Sequence, residues 1–136
     1  MKTHYNKMLI ATDGSDNSEN AIYRGIDLAK MTGAKVYAIY VLNTGTYFDE
    51  PVFDKQKARR YTTDHVEDIG NNKGINVESV VIIGNPAEEI VEFAEKNEID
   101  LIVMGSLGKS GVVRFLLGSV SDNVLKHASS EVLIVP

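Results

Sequence analysis

The chain contains no cysteine. Disulfides and thiolate metal sites are therefore excluded, and a reducing compartment, the cytoplasm, is the expected setting. No apolar run approaches the ~20 residues that a membrane-spanning helix needs. Behind the charged opening Met1-Lys2-Thr3-His4-Tyr5-Asn6-Lys7, the stretch Met8-Leu9-Ile10-Ala11 is short and runs straight on to Asp13, so no signal peptide is expected. Positive charge is also scarce. Fourteen Lys and Arg stand against 19 Asp and Glu, a net charge of −5. That field opposes non-specific binding to nucleic acid or to an anionic membrane. It does not oppose a small anion held by backbone N–H groups. Internal repeats and low-complexity segments are missing, as are a G-x-S-x-G elbow, an H-E-x-x-H pair and any zinc spacing. His4, His65 and His127 lie far apart in sequence and suggest no metal cluster.

What is present is an alternation of two hydrophobic periods. Lys7 to Thr12 is a short apolar run closed by Asp13-Gly14-Ser15-Asp16, the signature of a buried parallel strand and its turn. Ser15 or Asp16 can cap the helix carrying Ala21, Ile22, Gly25, Ile26, Leu28 and Ala29, which Gly33 ends. Val36 to Leu42 is a second strand and Asn43 to Pro51 a loop. From Asp54 to Asn72 a thin stripe of Ala58, Tyr61, His65 and Ile69 predicts one exposed helix. Asn76 to Ile83 is a third strand. Asn85-Pro86 opens a third helix, with Glu88 and Glu89 in its first turn. Ile99 to Met104 is a fourth strand, Gly105 to Gly118 a long loop, Ser119 to His127 a helix and Val132 to Val135 a fifth strand. This order predicts one domain over residues 1–136, an open α/β fold with a parallel five-stranded sheet and helices on both faces. Ligands of such sheets bind beyond the carboxyl ends of the strands, where the strand order reverses. Thr12-Asp13-Gly14, Val41-Leu42 and Met104-Gly105 should reach that edge.

The most specific motif is Gly105-x2-Gly108, followed nine residues later by Gly118-Ser119. It starts where a strand ends and finishes where a helix starts. Glycine lets backbone approach a phosphate, and the helix start adds free N–H donors and a dipole. Ser119 and Ser121 can add hydroxyls. Gly108-Lys109-Ser110 is not a P-loop, because that motif needs a glycine five residues before Gly108 and position 103 is Val. Lys109 and Arg114 are candidate phosphate neighbours or plain solvated cations. Asp13 stands at the edge of the first strand, although Asp-Gly-Ser is also ordinary turn and capping chemistry.

These residues resemble the ATP-binding branch of the universal stress protein family. The resemblance rests on Gly105-x2-Gly108-x9-Gly118-Ser119, on Leu117-Gly118-Ser119-Val120-Ser121 with Val124-Leu125 behind it, and on Asp13-Gly14-Ser15. Gly84-Asn85-Pro86-Ala87-Glu88-Glu89-Ile90 and the ending Val132-Leu133-Ile134-Val135-Pro136 extend it over essentially the whole chain. It implies a Rossmann-like sheet of the adenine nucleotide alpha hydrolase-like kind. It also implies ATP, or ADP or AMP, as ligand, with Mg2+ as a candidate companion and the metal ligands left open. Backbone of Ala11, Thr12 and Val41 would line adenine and ribose, and Asp13 would meet the ribose or the metal–phosphate group. Met104, Gly105, Leu107 and Gly108 would wrap ribose and phosphates, and Gly118, Ser119, Val120 and Ser121 would hold the phosphates. The last strand, Val132 to Val135, would form a homodimer. Position 11 is Ala where relatives often carry Pro or Val, a change that should not block binding.

Three functions follow as expectations. The first is a nucleotide-dependent regulatory protein of the stress response. The second is a slow ATPase or phosphoryl-transfer enzyme, although no residue is an evident base and none is assigned a catalytic role. The third is a binding module of another kind, either a nucleotide-free dimeric module or a relative of the electron-transfer flavoproteins, for which this chain is short.

Overall fold

The computed structural model describes residues 5–43, 55–106 and 118–136. Within them the expected parallel sheet forms, from β1 (Lys7–Ala11), β2 (Lys35–Leu42), β3 (Val77–Ile83), β4 (Leu101–Gly105) and β5 (Glu131–Val135). The spatial order is β3-β2-β1-β4-β5. The central register runs Met8 to Val36 and Ile10 to Ala38 on one side of β1, and Met8 to Leu101 and Ile10 to Val103 on the other. The chain winds outward from β1 to β3, then returns across β1 to lay down β4 and β5. The reversal of order therefore falls between β1 and β4.

Among the described residues five helices cover the sheet: α1 (Glu19–Thr32), α2 (Lys55–Tyr61), α3 (Thr63–Asn72), α4 (Pro86–Lys96) and α5 (Ser119–His127). β1 is buried on both faces, which is why its sequence is a continuous apolar run. Its residues divide by parity. Met8 and Ile10 join Ile22, Ile26, Val66 and Ile69 under α1 and α3. Leu9 and Ala11 join Ile90, Ala94 and Val124 under α4 and α5.

The helix ends follow their sequence signals. Gly33 closes α1 in the left-handed region at φ 77°, with its N–H on the Ala29 carbonyl at 2.8 Å. Asn85 caps α4, accepting the Glu88 N–H at 3.1 Å, and Pro86 occupies the first turn. The front of α1 is a correction: a 3-10 turn, Asp16–Ser18, intervenes, the Ser15 side chain makes no capping bond to it, and the helix itself starts at Glu19 behind Ser18.

The single helix expected over Asp54 to Asn72 is a correction. It breaks at Thr62, whose backbone sits at φ −128°, ψ −88°. The Thr62 hydroxyl donates to the Ala58 carbonyl and its N–H to Arg59 O at 3.1 Å, which closes the first helix locally. The helical phase then restarts. Tyr61, expected on the thin apolar stripe, is 65% exposed, and His65 faces outward to Glu19 at 2.8 Å. The buried side of α3 is Thr63, Val66, Ile69 and Gly70 instead.

The entry to β1 is held by one buried carboxylate. Asp100, 6% exposed, accepts the N–H groups of Asn6 at 2.7 Å and Lys7 at 2.9 Å, while its own N–H donates to Lys7 O at 2.9 Å. The Tyr5 hydroxyl donates to Glu131 at 3.3 Å, and burial, then the Glu131 charge, pushes that phenol above its ordinary pKa. Asp100→Ala strands two backbone donors beside the sheet and should cost about 3 kcal/mol of stability in urea unfolding. A loss below about 1 kcal/mol would mean that water satisfies both donors.

Candidate functional site

The carboxyl edge at the β1/β4 reversal gathers most of the motif residues. Ala11, Val41 and Met104 end three neighbouring strands, and all three point to the face under α4 and α5. Val120, from the first turn of α5, packs on the same cluster. Four predicted residues from four elements thus form one apolar floor. Met104 is buried there, so backbone rather than its side chain is what this residue offers to a ligand.

The β1 loop forms one wall. The Thr12 N–H continues the ladder to Ile39 O at 3.0 Å, and its side chain turns to the α1 face. There the hydroxyl accepts the Gly14 N–H at 3.1 Å and lies 3.2 Å from the Ser18 hydroxyl. Asp13, half-buried, accepts the Ser15 N–H through Oδ1 at 2.9 Å, and the Ser15 hydroxyl donates to the same oxygen. Its turn-forming role is therefore real. Oδ2 takes no part in those two bonds. Gly14 is left-handed at φ 78°, and a Cβ there would lie 2.9 Å from Tyr61 O, so the loop rests on the break between α2 and α3.

Gly105 has a steric reason to be glycine. A Cβ on it would meet the Asn17 carbonyl oxygen at 2.7 Å. The end of β4 therefore lies against the 3-10 turn that follows the β1 loop, across the reversal point.

Among the described helices, α1, α4 and α5 start behind the carboxyl ends of β1, β3 and β4, and the last two differ at their caps. The start of α4 is capped by Asn85 and carries Glu88 and Glu89, which repel an anion. The start of α5 has Gly118 at its cap, which brings no side chain, and one acid in its first turn, Asp122, paired with Lys126 at 3.0 Å. The first intrahelical bond there is from the Asp122 N–H to Gly118 O at 2.9 Å. The N–H groups of Ser119, Val120 and Ser121 precede it and have no acceptor within the helix. Ser119 is exposed. Ser121 is buried, with its hydroxyl 3.0 Å from Ser106 O and 3.1 Å from Gly118 O. Gly118 N–H donates to Ser106 O at 2.6 Å, so the chain that leaves the sheet at Ser106 returns beside it. Ser106 is a junction that motif reading passed over, because it stands at a variable position between two glycines.

Leu107 and Gly108 lie outside the described residues, as do Lys109, Ser110, Arg114, Leu117 and His4. Among the described residues no three His, Cys, Asp or Glu side chains come together as a metal site. No described helix is long and apolar enough to cross a membrane. A groove of about 770 Å³ opens at the opposite end of the sheet, lined by Lys30, Lys35, Arg59, Glu67 and Glu78. Two of its cations already meet carboxylates, Lys35 with Glu78 at 3.4 Å and Arg59 with Glu67 at 3.0 Å. Size alone does not make it the site, since parallel sheets place ligands at the carboxyl edge.

A family model for the universal stress protein family matches residues 4–136. A universal stress protein of Methanocaldococcus jannaschii is 40% identical over 139 aligned positions, covering 96% of this chain and 82% of the relative. Among solved structures, a hypothetical protein whose biochemical function was assigned from its structure superposes with a TM-score of 0.85 at 29% identity, covering 98% of this chain and 96% of the other. A universal stress protein in complex with cAMP superposes at 0.77 with 28% identity, covering 98% of each chain. One from Archaeoglobus fulgidus in complex with dAMP superposes at 0.76 with 25% identity, covering 97% of this chain and 98% of that one.

Gly105→Ala should lose about 1–3 kcal/mol in urea unfolding and shift the amide resonances of Asn17 and Ser18, since backbone, not a flexible side chain, is in the way. An unchanged midpoint with unmoved resonances would show that the two edges are not in contact.

Proposed function

This chain belongs to the universal stress protein family, and on that premise we propose that it binds ATP, or its ADP or AMP relatives, at the β1/β4 reversal and acts as a nucleotide-dependent regulatory protein of the stress response. The observation that carries this reading is the start of α5. A glycine-capped helix presents free N–H groups beside the carboxyl end of β4 in a protein of net charge −5. A helix start of this kind concentrates roughly half a positive charge on its first turn, which favours a phosphate without any basic side chain. The apolar floor of Ala11, Val41, Met104 and Val120 suits the flat, apolar faces of a nucleoside next to it. In this reading Asp13, whose Oδ2 takes no part in the two turn bonds, would accept a ribose hydroxyl or hold Mg2+ against the phosphates. The cAMP and dAMP complexes of two structural neighbours support an adenine ligand. A cytoplasmic setting is part of the proposal and agrees with the cysteine-free composition.

The test is a charge placed where the phosphates would sit. Ser119→Asp puts a carboxylate in the first turn of α5. It should weaken ATP binding about tenfold or more by isothermal calorimetry. It should raise helix stability by about 0.3–1 kcal/mol, because the same carboxylate suits the dipole. Loss of affinity without loss of fold is the expected pattern. Unchanged affinity would remove α5 from the site.

The last strand supports a homodimer as part of the same reading. β5 pairs only with β4 among the described strands. Val132 and Ile134 lean on one core, Leu133 and Val135 on the other, and all four remain half-exposed. The opposite edge strand, β3, carries an exposed Glu78 at its second residue, the kind of charge that blunts edge pairing. Sedimentation at micromolar concentration should return the mass of two chains, and Ile134→Lys should return one. A wild-type monomer would contradict edge pairing through β5.

A further inference from the structure

The hydroxyl of Ser121 has a job that phosphate binding does not describe. It is 3% exposed, and its Oγ lies 3.0 Å from Ser106 O and 3.1 Å from Gly118 O. A serine has one proton to donate. Both carbonyls are on the protein side, so that proton is committed inward. Ser106 O meanwhile accepts the Gly118 N–H at 2.6 Å. This carbonyl therefore meets two donors from α5, the Gly118 N–H and, three residues later, the Ser121 hydroxyl, whose single proton it shares with Gly118 O. Ser106 is itself held from the other side, since its N–H donates to Val135 O at 3.1 Å, at the end of β5.

We propose that Ser121 is a positioning residue that clasps the start of α5 to Ser106, and so aims the free N–H groups of the first turn. The proposal rests on the nucleotide reading given above. One hydrogen bond from Gly118 is a pivot about which the helix start can turn. A second bond to the same oxygen, from a different place on the turn, removes that rotation. Directed donors are sensitive to small displacements, and a shift of about 1 Å at a binding group is enough to lose most of its contribution. The clasp spends a buried hydroxyl on geometry and leaves ligand contact to backbone and to the exposed Ser119.

The roles can be separated with Ser121→Ala, which removes the hydroxyl and adds no atoms to a packed site. Two quantities are read on the full chain. The first is hydrogen exchange at the Gly118 amide without nucleotide, with the Ile102 amide as an internal reference. The second is the affinity for ATP set against the affinity for adenosine, which lacks phosphates. The clasp predicts exchange at Gly118 about fivefold faster with Ile102 unchanged, as expected for the loss of one hydrogen bond. It also predicts ATP affinity lowered about fivefold with adenosine affinity unchanged. If ATP affinity falls while Gly118 exchange stays the same, Ser121 is a direct phosphate ligand and the clasp is wrong. If Gly118 exchange rises while ATP affinity holds, the bond is structural only and the positioning role is wrong. An equal loss for ATP and adenosine would also overturn it, since the effect would not act through the phosphates. Wild-type protein that binds no adenine nucleotide would refute the nucleotide reading and the positioning role with it, while exchange at Gly118 would still report whether the bond exists.

Discussion

How closely the ends of β1 and β4 can approach is set at Gly105. Any side chain there would strike the Asn17 carbonyl, with a Cβ held at 2.7 Å from it. The consequence reaches through the whole edge. Because Gly105 admits the 3-10 turn, the Asp13 loop can fold down over the reversal point. Because Gly14 is left-handed, the far side of that loop can rest on the break between α2 and α3. Two glycines thus bring three segments from distant parts of the chain to one side of the sheet. A site at a reversal of strand order needs that convergence, since no single loop encloses it.

Electrostatics then selects among the surfaces that converge. The protein is acidic, and several cations among the described residues are matched with carboxylates: Arg59 with Asp64 and Glu67, Lys73 with Asp27, Lys96 with Glu92, Lys126 with Asp122. An anion would find little attraction in that field. What remains attractive is short-ranged, the unsatisfied N–H groups of a helix start. The starts of α4 and α5 differ in what they leave open. Asn85, Glu88 and Glu89 fill the start of α4 with acceptors and negative charge, while the start of α5 has Gly118 at its cap and a single acid, Asp122, which Lys126 meets at 3.0 Å.

Elements with strong periodicity were legible from the sequence. β1 and β2 are apolar on both faces and bounded by turn residues, and α4 carries its cap, its proline and its acidic first turn in consecutive positions. The strand order was legible only as a class, because alternation of strand and helix dictates parallel pairing without stating which strand is central. The break at Thr62 was not legible. It depends on a hydroxyl returning to the Ala58 carbonyl and on a loop from residue 14 pressing on Tyr61, and neither contact leaves a periodic trace. Tyr61 and His65 were placed on a thin apolar stripe because one uninterrupted helix would have put them in line with Ile69. At the edge of the sheet, Gly105 and Gly118 stand at the end of β4 and the cap of α5, where the motif put them, but the motif does not separate the two serines. Ser121 sits beside Ser119 in the motif and looks equivalent to it, yet one is exposed and the other turned into two carbonyls. Only the return of the chain to Ser106 separates them, and that is a tertiary fact.

A site assembled in this way is mostly main chain. Ala11, Met104 and Val41 contribute floor, Gly105 and Gly118 contribute approach, and the donors at the start of α5 are peptide N–H groups. Side-chain identity matters where it controls backbone placement, at Gly14, Gly105 and Ser121, and at Asp13 where one carboxylate oxygen builds the loop and leaves the other outside those turn bonds. Position 11 illustrates the division. Its side chain is buried in the floor, so alanine there alters volume by a few carbon atoms and leaves the peptide groups where they were. Main-chain donors also discriminate poorly among phosphate esters of the same nucleoside, because they read negative charge and approach distance rather than chain length. In the proposed reading, selection for an adenine ring would therefore come from the apolar residues and the loop walls, and selection among phosphates from how firmly the start of α5 is held.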